Sequence, residues 1–344
     1  MLGVPRTIEW VDGKVRLINQ LSLPHKLEYI ETRDYRRIAE AIKRMEIRGA
    51  PAIGVAAAYG LALAALEVKS NDIGEALKNI RRAAEVLSST RPTAVNLFWA
   101  IRRVLKVAEK AGSVEELQKS VVEEALRIAR EDEENNKKIG DFGEKLLEDG
   151  DTVITVCNAG SLATSYYGTA TAPIYRALEK GKLVNVIVME TRPYLQGARL
   201  TAFELKSAGI PVKIITDNSI GIVAWKEKVD IAFVGADRFT KDGYLVNKIG
   251  TYPLALVCKE HSIPFYPAVP TSTIDLQHEI NEVEIERRPG EEVVSIKGVR
   301  IAPEGVDALY YAFDITPPKY ITGIITEKGI VYPPFRKNIK KILS

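Results

Sequence analysis

The sequence contains only two cysteines and three histidines among its 344 residues. Two distant cysteines cannot form the disulfide framework of a small secreted domain, and they fit a reducing, cytoplasmic compartment. The histidines are scattered, and no cysteine–histidine spacing typical of a zinc site occurs, so we expect no bound metal. No G-x-G-x-x-G sequence follows a predicted strand, which argues against a dinucleotide cofactor. We therefore expect chemistry that depends on side chains alone.

An excess of either charge is also lacking. Lys and Arg number 48 against 45 Asp and Glu, which leaves a net charge of +3 and no basic surface of the kind that nucleic acid requires. The N-terminal residues MLGVPRTIEW do not have the pattern of a signal peptide. The most apolar stretch, 50–66, is rich in small residues, and we expect it to be too short to span a membrane. Glutamine is scarce whereas charged residues make up 27%, which favours a heat-adapted source.

A chain of this length can form two domains, and the hydrophobic pattern predicts a mainly helical one over residues 1–130. TIEWVDGKVRLINQ predicts a hairpin with its turn at Asp12-Gly13. Apolar residues then recur every three or four positions, which predicts helices. The predicted helices are Tyr35–Met45, Ala52–Leu66, Ile73–Leu87, Ala94–Ala111 and Val114–Leu147, with Pro51 and Pro92 at helix starts.

Residues 131–344 show a different pattern, in which short β-branched runs alternate with helical segments after Gly150. Such alternation predicts a parallel, doubly wound sheet, that is, a Rossmann-like domain. The fold class is therefore α/β, with a helical N-terminal domain, a small β start and a Rossmann-like C-terminal catalytic domain.

Polar residues follow the predicted strands at the edge where such sheets bind ligands. Cys157 follows TVITV, and it is either a buried core thiol or a proton donor, base or nucleophile. Asp237 follows DIAFVGA, and it is either a turn cap or a general acid or base. Cys258 lies within a helical apolar run and is predicted to belong to the core.

A second group of residues suits a phosphate. Arg48, Gly49 and Ala50 open a predicted helix whose free N–H groups favour anions, although the same residues also suit a plain helix start. Arg91 and the pair Asn247-Lys248 are further candidates, and each singly is also explained as a surface residue. Gln196 precedes another predicted helix at a strand's carboxyl end.

Together these stretches resemble the 5-methylthioribose-1-phosphate isomerases of methionine salvage. The similar segments are RGAPAIGVAAAYG (48–60), RPTAVNLFWA (91–100), CNAGSLAT (157–164), ETRPYLQGARLTAFEL (190–205), DNSIG (217–221), VGADR (234–238), NKIGTYPLA (247–255), PFYPAVPTSTID (264–275) and AFDITP (312–317). Ribose-1,5-bisphosphate isomerases and the regulatory subunits of the initiation-factor exchange factor share this fold.

The resemblance implies a role for each matching residue. The catalytic residues would be Cys157 and Asp237, without metal or cofactor, and the partner would be a small sugar phosphate. The substrate-binding residues would be Arg48, Gly49, Ala50, Arg91, Gln196, Asn247 and Lys248. A homodimer built through the second domain is also implied. Tyr310-Tyr311 departs from the family, which usually has Asn-Pro before AFD.

The implied reaction moves hydrogen from C2 to C1 of an aldose 1-phosphate after its ring opens. Whether the hydrogen travels as a proton or a hydride, and which of Cys157 and Asp237 plays which part, stays open here. A ribose-1,5-bisphosphate isomerase and a non-enzymatic regulatory subunit are the two alternatives.

Overall fold

The computed structural model describes residues 2–91 and 94–343, which form two compact units. The first, here called the helical unit, contains residues 5–136 and 160–168. The second, the sheet unit, contains the residues up to Val4, residues 137–159 and the chain from Thr169 onwards. These units are defined by which residues pack together. The predicted domain boundary near residue 130 is not tested by this division and stays a prediction.

The helical unit starts with a three-stranded antiparallel sheet of β1 (Ile8–Val11), β2 (Lys14–Ile18) and β3 (Tyr29–Thr32). Asp12 and Gly13 join β1 to β2 with φ angles of 50° and 75°. Two residues with positive φ form the turn whose twist matches a hairpin. The predicted hairpin is confirmed, whereas β3 is an addition that the sequence pattern did not indicate.

Helices make up the rest of this unit, as its hydrophobic pattern predicts. Asp34 and Asp72 precede the first and third helices, and their side chains accept hydrogen bonds from the first backbone N–H groups. The predicted start at Pro92 lies outside the described residues. The helices are α1 (Tyr35–Lys43), α2 (Ala50–Glu67), α3 (Ile73–Ser88), α4 (Val95–Ala108) and α5 (Val114–Gly143), and the last turns of α5 belong to the sheet unit.

The buried centre of the helical unit is α2. Its length of 18 residues and its apolar composition would suffice to cross a membrane, so the expectation that the stretch is too short was wrong. However, 78% of it is buried within the protein, where it packs against α1, α3 and α4. Gly60 illustrates the packing, because a Cβ there would lie 3.1 Å from a methyl group of Leu87. A core position therefore accounts for the composition of α2.

The sheet unit is built on five parallel strands, as predicted. They are β4 (Thr152–Thr155), β5 (Asn185–Met189), β6 (Val212–Ile215), β7 (Ile231–Val234) and β10 (Phe265–Pro267). Between β7 and β10 the chain forms two strands of another sheet, β8 (Arg238–Thr240) and β9 (Leu245–Lys248). The crossover helices are α6 (Ala172–Glu179), α7 (Ala202–Ser207), α8 (Ile220–Lys226) and α9 (Thr251–Glu260), and a π-helical segment, Gly197–Thr201, leads into α7. The Rossmann-like fold class is confirmed.

The order of these strands across the sheet is β10-β7-β4-β5-β6. From β4 the chain first builds outwards through β5 and β6, and it then returns to add β7 on the opposite side of β4. The direction of winding therefore reverses between β4 and β7. In open α/β sheets, ligands bind outside the carboxyl ends of the strands at such a reversal.

A second, mixed sheet follows in the order β11-β8-β9-β14. Within it β14 runs antiparallel to β9 and sets Asp314 opposite Asn247. The remaining elements are α10 and α11 and two short hairpins. Their bounds are β11 (Ile274–Asp275), α10 (Glu291–Val294), β12 (Ser295–Ile296), β13 (Val299–Arg300), β14 (Phe313–Thr316), β15 (Ile324–Thr326), β16 (Gly329–Val331) and α11 (Phe335–Leu343).

Candidate active site

The carboxyl ends of β4 and β7 carry Cys157 and Asp237 respectively, so both residues lie at the reversal of strand order. The two chain segments also pack closely together. A Cβ on Gly235 would stand 2.5 Å from the Cβ of Ala159, so only glycine fits there. The sequence-based prediction that both residues follow strands of one sheet is confirmed.

Cys157 is held by side chains from the segment after β5. Its N–H donates to Thr191 Oγ1 at 2.8 Å, and its carbonyl accepts a hydrogen bond of 2.6 Å from Thr201 Oγ1. Its φ angle is 69°, which is uncommon for a residue with a side chain. Residues with such backbone angles concentrate at functional sites, because only a strongly constrained surrounding maintains them.

The sulfur of Cys157 accepts a hydrogen bond of 3.3 Å from the side-chain amide of Gln196. Cys157 is 6% exposed and Gln196 2% exposed, so the contact is shielded from water. Gln196 Oε1 is buried and has no hydrogen-bond partner among the described residues. The next residue, Gly197, lies against the carbonyl oxygen of Met189. A Cβ on Gly197 would be 1.8 Å from that oxygen, so only glycine fits there.

Asn158 connects Cys157 to a buried polar network behind it. Its amide nitrogen lies 3.2 Å from Thr201 Oγ1 and 3.4 Å from Glu204 Oε2. All three side chains are buried. Because Thr201 also holds the Cys157 carbonyl, this network fixes the backbone that carries the thiol.

Asp237 is partly exposed, and its backbone N–H donates to the carbonyl of Val246 at 3.0 Å. Asp217 follows β6. Its two carboxylate oxygens accept the N–H groups of Thr191 and Arg192 at 2.8 and 2.6 Å. It therefore stabilises the segment that holds Cys157.

Asn247 and Lys248 end β9, and two aromatic rings lie near Lys248. The amide nitrogen of Asn247 donates to Thr251 Oγ1 at 3.0 Å. The ammonium group of Lys248 lies 4.6 Å from the ring centroid of Phe313 and 5.9 Å from that of Tyr310. Burial raises the pKa of the Tyr310 hydroxyl to about 12, and the negative charge of Glu292 acts in the same direction.

Asp314 lies beside this pair and caps α9. One carboxylate oxygen accepts the N–H groups of Gly250 at 2.8 Å and Tyr252 at 3.0 Å. Desolvation raises the pKa of Asp314 to about 6 despite these hydrogen bonds and the nearby charge of Lys248. The N-terminus of α9 is thus already used by a carboxylate of the protein itself.

The remaining predicted substrate-binding residues belong to the helical unit. Gly49 has a φ angle of 97°, and a Cβ there would lie 2.4 Å from the carbonyl oxygen of Ala163. Glycine is therefore required immediately before α2, which starts at Ala50. Arg48 precedes it, and the carbonyl of Arg91 accepts the N–H of Ala94 at 3.1 Å. The roles of these four residues in binding stay predictions.

Sequence reasoning missed Thr191, Thr201 and Asp314, and it noticed Tyr310 only as a departure from the family. Asp314 belongs to the AFDITP segment, and both threonines belong to ETRPYLQGARLTAFEL, so the motifs were visible although the contacts were not. Cys258 is buried in α9, where desolvation raises the pKa of its thiol to about 12, and its assignment to the core is confirmed. Within residues 2–91 and 94–343, no group of three or more His, Cys, Asp or Glu side chains could hold a metal ion.

The strand order, with a thiol and a carboxylate at the ends of two neighbouring strands, defines an α/β protein with a candidate acid–base site at the reversal point. The chain belongs to the initiation factor 2 subunit family, whose model matches residues 46–333. It is 51% identical over 340 residues to the methylthioribose-1-phosphate isomerase of Thermotoga neapolitana, and 98% of each chain is covered.

Two solved structures are similar over nearly the whole length. The 5-methylthioribose 1-phosphate isomerase of Pyrococcus horikoshii is 45% identical with a TM-score of 0.93, covering 99% of this chain and 96% of that one. A structure from A. fulgidus described as translation initiation factor eIF-2B, subunit delta, is 49% identical with a TM-score of 0.91, covering 98% and 99%.

Proposed function

We propose that this protein is an aldose–ketose isomerase that converts 5-methylthioribose 1-phosphate to 5-methylthioribulose 1-phosphate, a step of methionine salvage. The observation that carries the proposal is the buried Cys157 thiol, which accepts a hydrogen bond from Gln196. The segment leading to Asp237 packs closely against the segment that follows Cys157. The names of the relatives from T. neapolitana and P. horikoshii support this substrate.

The chemistry requires at least two groups that transfer protons. The anomeric oxygen of an aldose 1-phosphate is esterified, so the ring opens only when an acid protonates the ring oxygen as its bond to C1 breaks. Hydrogen then leaves C2 and reaches C1, and the C2 hydroxyl loses its proton to become the ketone. Cys157 and Asp237 supply the acid and the base in this scheme.

Binding is assigned to the polar residues around this pair. Gln196 Oε1 is a buried acceptor that a hydroxyl group of the sugar would satisfy. Asn247 and Lys248 supply an amide and a positive charge to the phosphate. Arg48, Gly49, Ala50 and Arg91 of the helical unit are proposed to contribute further contacts, as the resemblance implies.

The deciding experiment is an assay of the purified protein with two substrates, 5-methylthioribose 1-phosphate and ribose 1,5-bisphosphate. We expect rapid conversion of the first and little conversion of the second. Conversion of the bisphosphate alone would establish the alternative isomerase. A folded protein that converts neither would favour a non-catalytic subunit, as the description of the A. fulgidus structure suggests.

A second experiment follows the hydrogen itself. Turnover in D₂O places deuterium at C1 if the hydrogen leaves C2 as a proton and exchanges with solvent. Retention of the original hydrogen at C1 would show that this hydrogen does not exchange with solvent, which is the result expected of direct hydride transfer from C2. Mass spectrometry of the product measures the deuterium content.

We also propose that the protein is a cytoplasmic homodimer that associates through its second domain. Large apolar side chains exposed in the sheet unit, among them Ile214, Ile222, Trp225, Val299 and Leu309, support this proposal. Sedimentation equilibrium at micromolar concentration is expected to give twice the chain mass. A stable monomer would contradict the proposal.

A further inference from the structure

Lys248 lies against two aromatic rings that the register of a sheet brings to it. The antiparallel pairing of β9 and β14 sets Phe313 directly opposite Lys248. The ammonium nitrogen lies 4.6 Å from the Phe313 ring centroid and 5.9 Å from the Tyr310 ring centroid. A cation within about 6 Å of an aromatic centroid is attracted by the ring, and more strongly where water is excluded.

The backbone fixes the Tyr310 ring at this place. The carbonyl of Tyr310 accepts the N–H of Arg288 at 3.0 Å, and the N–H of Ala312 donates to the carbonyl of Glu286 at 2.9 Å. The carbonyl of Ala312 in turn accepts the N–H of Ile249, the residue after Lys248, at 3.1 Å. The segment that contains Tyr310 is therefore hydrogen-bonded to the end of β9, which contains Lys248.

Burial distinguishes Tyr310 from its neighbour in the sequence. Tyr310 is 5% exposed, whereas Tyr311 is 45% exposed and lies under the guanidinium group of Arg287 with 5.4 Å between them. Tyr310 is therefore a buried ring beside a half-buried lysine side chain, a setting in which a cation–π contact is stronger than on an exposed surface.

We propose that Tyr310 is a positioning residue that holds the ammonium group of Lys248 in the orientation that binds a phosphate ester. The inference rests on the proposed function in one respect, the assignment of Lys248 to the substrate phosphate. A positioned ammonium contacts the phosphate before and during the reaction. Loss of the ring should therefore weaken binding more than it slows the chemical step.

The first test replaces Tyr310 by Leu. We expect KM for the sugar phosphate to rise roughly 2- to 30-fold, the range of a cation–π contact between its exposed and desolvated limits. The value of kcat should stay within about threefold. Tyr310→Phe keeps the ring and should have the KM of the wild type. A KM as high as that of Tyr310→Leu would show that the hydroxyl group matters rather than the ring, and the proposal would be wrong. Tyr311→Leu, the same change at the exposed neighbour, is the matched control.

The second test asks whether the ring acts through Lys248. In a Lys248→Met background, Tyr310→Leu should change kcat/KM by less than about twofold, because the interaction that it removes is already absent. An equal loss in both backgrounds would show that the ring acts independently of the ammonium, and the proposal would be wrong.

Two further measurements separate the possible failures. If Tyr310→Leu melts below the assay temperature, Tyr310→Met, which also lacks the ring, takes its place, and the same rise in KM is expected; an unchanged KM would contradict the proposal. If the wild-type protein turns over neither sugar phosphate, the proposed function fails. Calorimetric titration with inorganic phosphate then decides the inference by itself, since Tyr310→Leu should weaken phosphate binding while Tyr311→Leu should not.

Discussion

Gly235 approaches Ala159 so closely that a methyl group on Gly235 would stand 2.5 Å from the Cβ of Ala159. Ala159 follows Cys157 by two residues, and Gly235 precedes Asp237 by two residues. The contact therefore joins the segments that carry the proposed acid and base, across the point where the strand order reverses. The predictions below follow from this arrangement and from the contacts around it.

We expect Cys157→Ser and Asp237→Asn each to lower kcat by about 100-fold or more, the effect of losing a general acid or base. Both replacements are nearly isosteric, so the melting temperature should change little. The double variant should be little worse than the poorer single variant, because groups that act together are not additive. Cys258→Ser, in the core of α9, is the control for loss of a thiol, and a Cys157→Ser enzyme with near-normal kcat would contradict the assignment.

Gln196→Leu should lower kcat/KM by roughly 10- to 100-fold, because a hydrogen bond to a charged or developing-charge partner contributes about 1.5–3 kcal/mol. Stability should be maintained, since the change also removes a buried acceptor that lacks a partner among the described residues. Steady-state kinetics with thermal melts measure both effects. Gln277→Leu, at an exposed glutamine, is the matched control. A kcat/KM of Gln196→Leu within twofold of the wild-type value would show that Gln196 is not part of the site.

Arg48→Ala should raise KM while leaving kcat nearly unchanged, because its charge acts on a phosphate that is present throughout the reaction. The surface residue Arg82 on α3 provides the comparison, and Arg82→Ala should alter neither parameter. Full saturation curves are needed to separate the two constants. A large fall in kcat at constant KM would instead assign Arg48 to the chemical step.

Asp314 should make stability depend on pH. Its carboxyl titrates near 3.8 when unfolded, and burial raises its pKa in the folded protein to about 6. Between these values the folded state binds the proton more tightly, so this group favours folding at low pH and the benefit is lost as the pH rises through 6. Asp314→Asn does not titrate, so the melting temperature of the wild type should fall relative to the variant between pH 4 and pH 7.

Asp132 does not obscure that comparison. Burial also raises its pKa to about 6, and it is present in both proteins, so its contribution cancels in the difference. Thermal melts at several pH values measure the difference directly. Melting curves that shift in parallel with pH would show that Asp314 does not titrate in this range.

Local sequence predicted the parts of this protein that local interactions determine. The Asp12-Gly13 turn, the helix beginning at Tyr35 and the strand before Cys157 follow from short-range periodicity and turn chemistry. The π-helical Gly197–Thr201 segment was not predicted, because short-range periodicity does not indicate it, and neither does the close approach of Gly197 to the Met189 carbonyl. Tyr310 was noticed only as a departure from a motif, since its contact with Lys248 depends on strand pairing.

Positions at strand ends were predictable for the same reason, because a β-branched run followed by polar residues marks where a strand stops. What each polar residue does there was not predictable. Asp217 and Asp237 both follow strands, yet Asp217 binds two backbone N–H groups of a neighbouring segment. Only these long-range hydrogen bonds show that Asp217 supports the segment that holds Cys157.

The nine-residue segment 160–168 has a consequence for how the protein is made. This segment belongs to the helical unit, where Ser161 and Leu162 accept hydrogen bonds from Thr7 and Gln20, and Ser165 binds Asp132. A ribosome synthesises residues 5–136 first, but the unit that they form lacks these partners until residue 168 has emerged. The helical unit is therefore complete only once residue 168 has been added, although most of it is built from residues 5–136. A fragment that stops at residue 136 would leave the Thr7 hydroxyl and the Gln20 amide without these two acceptors.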